Sequence, residues 1–295
     1  MRELARIRYI SFGLIALLGG SLAWPALGAS AQWVRAHDLY QRTDYEASLK
    51  VLLPEAPTGD PDVLELIGQN YFMLADYKKA TDYLERAAAM NPRSAAAVLW
   101  LGRAYGRRAE ISSPITAPGY ASKARQLFEK AVKLDPTNRE ALGDLFDYYL
   151  QAPGFLGGGT ATAEALAAQV AANDPAEGHY YQAILAERRK QFDFAENHLR
   201  AAMDLAPRQV GRVIDLAKFF GRLGRMSESE ALFEEAARIE PENPRILFER
   251  ASAYIKSHRN LDQARRLLER YLQSPLKPDD PPRQEAEALL KKMGA

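Results

Sequence analysis

The chain has 295 residues, 47% hydrophobic and 26% charged, with a formal net charge of +1 and no cysteine. This is the composition of a folded protein rather than a disordered one, and it excludes disulfides, thiol catalysis, iron–sulfur clusters, cysteine-based zinc sites and a lipid-bearing cysteine anchor. Arg2, Arg6 and Arg8, less Glu3, give the first segment +2, so the remainder is near −1 and presents no basic face of the kind nucleic acid rewards.

Residues 1–31 read as a secretory signal. A basic start, Met1 to Tyr9, precedes a 14-residue apolar or small stretch, Ile10 to Ala23. Trp24 and Pro25 break that stretch, and Ala29-Ser30-Ala31 offers the small residues a signal peptidase reads. The rival reading is a retained anchor, but a spanning helix needs about 20 apolar residues, and this stretch is shorter and contains Gly19-Gly20. Cleavage is expected after Ala31, with Ala29 as the alternative. The expected location is therefore outside the cytoplasm, periplasmic or secreted, with no membrane span left after cleavage.

From Gln32 onward apolar residues recur three and four apart, the spacing of amphipathic helices, and no segment alternates as a strand does. Pro92, Pro136, Pro175, Pro207 and Pro241 punctuate the pattern at gaps of 44, 39, 32 and 34 residues. Proline is excluded from helix interiors, so the spacing marks a hairpin period. The clearest unit is the 34 residues from Pro61 to Ser94: Leu64, Ile67, Gly68 and Tyr71, then Ala75-Asp76-Tyr77, then Ala80, Leu84, Ala87 and Pro92. Gly68 and Ala80 stand where two helices must touch, while Leu64, Tyr71 and Leu84 fill the layers between hairpins.

The template returns down the chain. Leu101-Gly102, Tyr105, Ala124, Phe128 and Ala131 form the next unit, with an insertion at 107–120 that holds Pro114 and Pro118. Leu142, Leu145 and Tyr149 follow, with a surplus at 152–159, Ala-Pro-Gly-Phe-Leu-Gly-Gly-Gly, before a helix from Thr162 to Asn173. Three further units carry Ala183, Ala195, Leu199 and Ala202, then Leu216, Phe220, Gly224, Phe233 and Ala236, then Leu247, Ala251, Tyr254 and Leu268. A weaker first unit runs from Trp33 to Leu53, and Pro281 to Met293 reads as a charged helix capping the last apolar face.

This pattern resembles the tetratricopeptide repeat over about 240 residues. The pair of inserted segments, expected to project from one edge, is similar to that of exported bacterial tetratricopeptide proteins without a defined activity. The resemblance implies an all-α, right-handed superhelical solenoid of about seven helix-turn-helix repeats. It divides the chain into a signal at 1–31, a solenoid at 32–275 and a linker with a capping helix at 276–295. It also implies a non-catalytic scaffold whose first helices line a concave groove. Carried over position by position, that groove comprises Glu65, Gln69 and Phe72; Leu99, Arg103 and Arg107; Gly143 and Asp147; Tyr180, Ile184 and Arg188; Ile214, Lys218 and Arg222; and Phe248, Ser252 and Lys256. Its modest basic excess suits a protein or peptide with acidic residues. Glu65 and Gln69 stand where a carboxylate clamp would begin, so binding of a chaperone tail is not expected.

Tyr71, Tyr105, Tyr149, Phe220 and Tyr254 share one repeat position and read as core between hairpins, whereas Tyr180, Tyr181 and Phe72 read as groove-facing. The glycine-rich loop lacks the lysine and hydroxyl of a phosphate cradle, Thr160-Ala161 following Gly159. Its apolar pair, Phe155 and Leu156, is a candidate partner contact. No cofactor is implied. His179 and His198 share a hairpin, but a metal would need more ligands, so no metal site is expected. No Gly-x-Ser-x-Gly elbow or cleft-facing carboxylate pair suggests catalysis. An alternative function is carriage of a small ligand or glycan beneath the inserted loops.

Overall fold

The computed structural model describes residues 30–294, so the expected signal lies outside the described residues apart from Ser30 and Ala31. Fourteen helices pair into seven hairpins among the described residues. The first two hairpins are α1 (Ala31–Gln41) with α2 (Tyr45–Leu52) and α3 (Pro61–Met73) with α4 (Tyr77–Met90). Next come α5 (Ala95–Ile111) with α6 (Ala117–Leu134) and α7 (Arg139–Gln151) with α8 (Thr160–Asn173). The last three are α9 (Pro175–Arg188) with α10 (Phe192–Leu205), α11 (Val210–Arg222) with α12 (Met226–Ile239), and α13 (Pro244–Lys256) with α14 (Leu261–Gln273). A final helix, α15 (Arg283–Gly294), packs on α14.

Local chemistry fixes where these helices begin and end. Asp44, Asp60, Asp76, Ser94, Asn138, Asp174 and Asn243 each accept backbone N–H groups at a helix start, satisfying donors that have no partner within the helix. Pro175 occupies the first turn of α9, whereas Pro92, Pro136, Pro207 and Pro241 stand just past the ends of α4, α6, α10 and α12. Four hairpins turn through one left-handed residue, Thr43, Ala75, Lys190 and Gly224, with φ of 60°, 59°, 60° and 75°, and the last turns through two, His258 and Asn260, with φ of 52° and 49°. The other two hairpins are the pair with inserted segments. There the 107–120 insertion is largely helical: it extends the end of α5 and the start of α6, leaving only residues 112–116 as the turn.

Packing within a hairpin rests on small residues. Ser48, Ala80, Ala124, Ala163, Ala195, Ser229 and Ala264 recur at one position of the second helices and are essentially inaccessible. Four residues later stand Leu52, Leu84, Phe128, Ala167, Leu199, Phe233 and Leu268, all buried. The first helix must yield to them. A Cβ on Gly68 would lie 2.5 Å from Leu84 Cγ, and one on Gly102 2.8 Å from the Phe128 ring. Between hairpins a tyrosine of a first helix reaches back to a glutamate of the preceding second helix. Tyr105 bonds Glu85, Tyr149 donates to Glu129 at 3.1 Å, and Tyr254 to Glu230 at 2.5 Å. These tyrosines bury their rings in the stack and keep the hydroxyl satisfied at its edge. Tyr105, Phe220 and Tyr254 are buried as their repeat position predicts, while Tyr71 and Tyr149 are half-buried.

The carboxyl-terminal segment does more than cap. Leu276 is buried with Tyr271 and Ala286 against α14, and the Tyr271 hydroxyl donates to the Pro281 carbonyl. Residues 276–284 then meet the other end of the molecule: they line a cavity of about 240 Å³ together with Thr43, Asp44, Tyr45, Glu46, Met73 and Leu74. The solenoid therefore coils far enough to bring its last segment back to its first two hairpins.

Two substitutions test this packing. Gly68→Leu should overpack the α3–α4 contact and destabilise by ~1–3 kcal/mol or more. Lys190→Gly should relieve a left-handed turn and stabilise by up to ~1 kcal/mol. Urea denaturation monitored by circular dichroism measures both, and unchanged midpoints would contradict the contact and the turn respectively.

Candidate functional site

The inner faces of α3, α5 and α7 enclose a groove cavity of about 570 Å³. Its apolar lining comes from Phe72 and Met73 on α3, Trp100 on α5, Phe128 on α6 and Tyr148 on α7. Phe72 meets Trp100 edge to face at 5.3 Å, and Phe128 meets Tyr148 in the same way at 6.4 Å. The loop after α7 closes one end through Ala152, Pro153 and Leu156. Pro278, Asp280 and Pro282 of the carboxyl-terminal segment form a further wall, so the cavity lies beneath a strap.

The loop at 152–159 is a tightly built turn rather than a cradle. Tyr148 Oη donates to the Leu156 carbonyl at 3.0 Å, and the Gly159 N–H donates to the Tyr149 carbonyl at 2.7 Å. Gly157 and Gly159 hold φ of 82° and 134°, a region that only glycine occupies readily, and a Cβ on Gly157 would collide with the Arg125 side chain. Leu156 turns toward the cavity, whereas Phe155 is 81% exposed.

Electrostatically the groove is matched to itself. Arg103 Nε lies 2.5 Å from Asp144 and its Nη2 2.9 Å from Glu140, both on α7. Arg107 pairs with Glu110 and donates to Tyr77 Oη at 3.3 Å. Farther along, Lys218 meets Glu249 at 2.8 Å and Arg222 holds Glu187 at 2.6 and 2.7 Å. Of the basic groove residues that the sequence suggests for an acidic partner, Arg103, Arg107, Lys218 and Arg222 are thus already committed to carboxylates, mostly on the neighbouring first helix, and both that line the cavity are among them. Asp147 and Asp280, which also line the cavity, have no ion pair among the described residues. Burial raises the Asp147 carboxyl above the usual carboxylate range, and neighbouring Asp144 adds to the rise.

The structure brings together five of the expected site residues: Phe72, Arg103, Arg107, Asp147 and Leu156. Glu65 and Gln69 share α3 with Phe72 but lie outside the cavity lining; Gln69 Nε2 donates to Glu65 Oε1 at 3.0 Å. Tyr180 and Ile184 are half-buried at the edge of the core, and the Arg212 guanidinium covers the Tyr180 ring at 4.4 Å. Arg188 is exposed, while Lys218 and Arg222 line a separate shallow hollow with Ser252 and Lys256.

Four groove assignments need correction. Phe248 is 7% exposed and packs against Tyr271 at 5.3 Å; Leu99 and Ile214 are buried core; and Tyr181 stacks on Phe146 at 4.1 Å inside the stack. On α5 Arg103 and Arg107 line the cavity as expected, and only the residue a turn before them differs. Trp100 rather than Leu99 faces the groove, and a tryptophan between two core leucines was the signal. Asp144, Tyr148 and the strap were also missed.

His179 and His198 do approach, Nδ1 to Nδ1 at 2.9 Å, and burial together with His179 lowers the His198 pKa. No group of three metal-ligating side chains forms among the described residues.

Two family models described as tetratricopeptide repeat match the chain, one over residues 66–110 and one over residues 222–293. The matched stretches are tetratricopeptide repeats. The tetratricopeptide solenoid is similar to that of a tetratricopeptide repeat protein from Parabacteroides merdae ATCC 43184. The two are 14% identical, with 90% of this chain and 98% of that one covered at a TM-score of 0.56. A thermophilic tetratricopeptide protein of Thermus thermophilus is 19% identical over 76% of this chain and 97% of its own, at a TM-score of 0.46. At such identities a likeness shows the fold alone. No curated protein matches the sequence.

Glu65 gives this tetratricopeptide groove a pH signature. Burial, reinforced by Asp62, raises its carboxyl to about 7 from an ordinary 4.5. The folded state therefore holds this proton more tightly than the unfolded chain, and the group's contribution to stability falls as pH rises between those values. Glu65→Gln should flatten that part of the decline in melting temperature from pH 4.5 to pH 8. An identical slope in wild type and variant would contradict the assignment.

Proposed function

We propose that the protein is a non-catalytic scaffold outside the cytoplasm that holds a segment of another protein in the groove beneath the strap, in keeping with a tetratricopeptide fold, which serves protein–protein interaction. The cavity of about 570 Å³ on the inner faces of α3, α5 and α7, with its aromatic lining, supports this reading most directly. Extended or helical segments bind such grooves by seating a few apolar side chains, and Phe72, Trp100 and Tyr148 supply the surfaces for them. A photo-crosslinker at Gln151, on the cavity wall, should give one discrete adduct in cells. The same group at Lys130, exposed on α6, should not, and Trp100→Ala should remove the Gln151 adduct. Equal labelling from both positions, or an adduct that survives Trp100→Ala, would reject the groove.

The basic, apolar and small-residue order of residues 1–31 supports export to the periplasm or beyond. The structure bears on where cleavage would leave the first helix. Ser30 Oγ accepts the Trp33 N–H at 3.0 Å and caps α1. Cleavage after Ala29 keeps this cap, whereas cleavage after Ala31 removes it at a cost of ~1 kcal/mol to that helix. The intact mass of the mature protein decides between them, and a mass that retains residues 1–28 would refute processing here.

A second reading keeps the same cavity but fills it with a small apolar ligand or glycan. It is favoured by the way Ala152, Pro153 and Leu156 close one end. A ligand found by thermal shift should lose its effect on deletion of residues 154–159; a persistent shift would place it elsewhere.

A further inference from the structure

We infer that the segment held in this groove is cationic: a polypeptide stretch whose apolar or aromatic side chain is flanked by lysine or arginine. The inference rests on the groove reading above and reverses the preference for an acidic partner that the sequence suggests. Two arginines and four carboxylates line the cavity: Arg103 and Arg107 against Glu110, Asp144, Asp147 and Asp280. Both arginines are already occupied, Arg103 by Asp144 and Glu140 and Arg107 by Glu110. What remains to recognise an incoming charge is Asp147 on the α7 wall and Asp280 on the strap.

An acidic segment would have to displace Asp144 from Arg103, exchanging one charge-assisted bond for another while adding negative charge to a cavity that has it in excess. A lysine or arginine meets two carboxylates without an ion pair instead, Asp147 and Asp280, the latter accepting only the Lys277 backbone N–H at 2.8 Å. The aromatic lining works in the same direction. Ring faces attract cations as well as apolar groups, and Phe72 and Tyr148 line the cavity alongside those carboxylates. Arg103 already lies over Trp100 at 4.8 Å, a contact of the kind the ligand would make with the other rings. Burial of the Asp147 carboxyl among protein atoms adds to the gain, because a nearby ammonium restores the stabilisation that desolvation removed. The strap gives the site its selectivity in space: a segment must pass between the α5–α7 face and Pro278–Pro282, so its charges lie within reach of both carboxylates.

The test uses the protein purified in the form its cells accumulate, and two dye-labelled peptides of equal length. Both carry one phenylalanine and one leucine, flanked in one peptide by lysines and in the other by glutamates. Fluorescence polarisation should show the lysine peptide binding at least about tenfold more tightly at low salt, with the difference shrinking as salt rises. Asp147→Asn combined with Asp280→Asn should weaken the lysine peptide by about tenfold and leave the melting temperature in place, since neither carboxylate holds an ion pair and an asparagine Oδ1 at 280 still accepts the Lys277 N–H. Trp100→Ala should weaken both peptides. Equal affinities, a preference for the glutamate peptide, or an unaffected double variant would overturn the cationic assignment and leave the groove reading standing. Binding of neither peptide would overturn both. A dimer in sedimentation that Trp100→Ala dissociates would place a second copy in the groove and overturn the assignment as well.

Discussion

Two helices of a hairpin can lie this close only where one of them carries almost no side chain at the crossing. In this chain the requirement is met at every repeat by a serine or alanine on the second helix, Ser48 through Ala264, and in two repeats also by a first-helix glycine against the large residue one turn later, Gly68 at Leu84 and Gly102 at Phe128. Everything larger follows from that approach. A short interaxial distance lets each hairpin offer a flat face to the next, and a stack of flat faces rotated by a constant increment becomes a coil. The coil makes the inner groove, and it brings residues 276–284 back against the first two hairpins.

Stability in such a stack is spread along its length, and the interfaces carry it. Buried layers join Tyr105 to Glu85, Tyr149 to Glu129 and Tyr254 to Glu230, so each polar link crosses from one hairpin to the next. Ion pairs repeat the arrangement on the inner surface, with Arg103, Arg222 and Lys218 each answered by a neighbouring first helix. Partly exposed pairs of this kind contribute little energy singly. Their larger effect is on recognition, because they leave the groove with few uncommitted charges.

The strap sets this solenoid apart from an open one. An array with free ends would expose its groove along the whole inner surface, but Pro278, Asp280 and Pro282 roof one stretch of it. The two inserted segments sit at the same stretch. The first lengthens α5 and α6 beside the cavity, and the second packs Leu156 against its end. The features that depart from the regular repeat therefore converge on one place, where a tightly turned loop, two long helices and the returning tail define a bounded cavity.

Much of this was legible in the sequence, and the physical reason is range. Helices, their caps, the hairpin period and the small contact residues are set by neighbours within a few turns, so Gly68, Ala80 and Leu84 announce themselves through spacing alone. The groove is decided otherwise. Whether Leu99 or Trp100 faces inward depends on a rotation of tens of degrees about the α5 axis, fixed by packing against α3 and α6 rather than by periodicity. Whether Arg103 is available to a partner depends on Asp144, 41 residues away. The roof over the cavity depends on the sum of seven small rotations, which alone brings Asp280 beside Phe72. Local spacing determined the repeat; only the accumulated coil decided which side chains meet and which charges they leave unanswered.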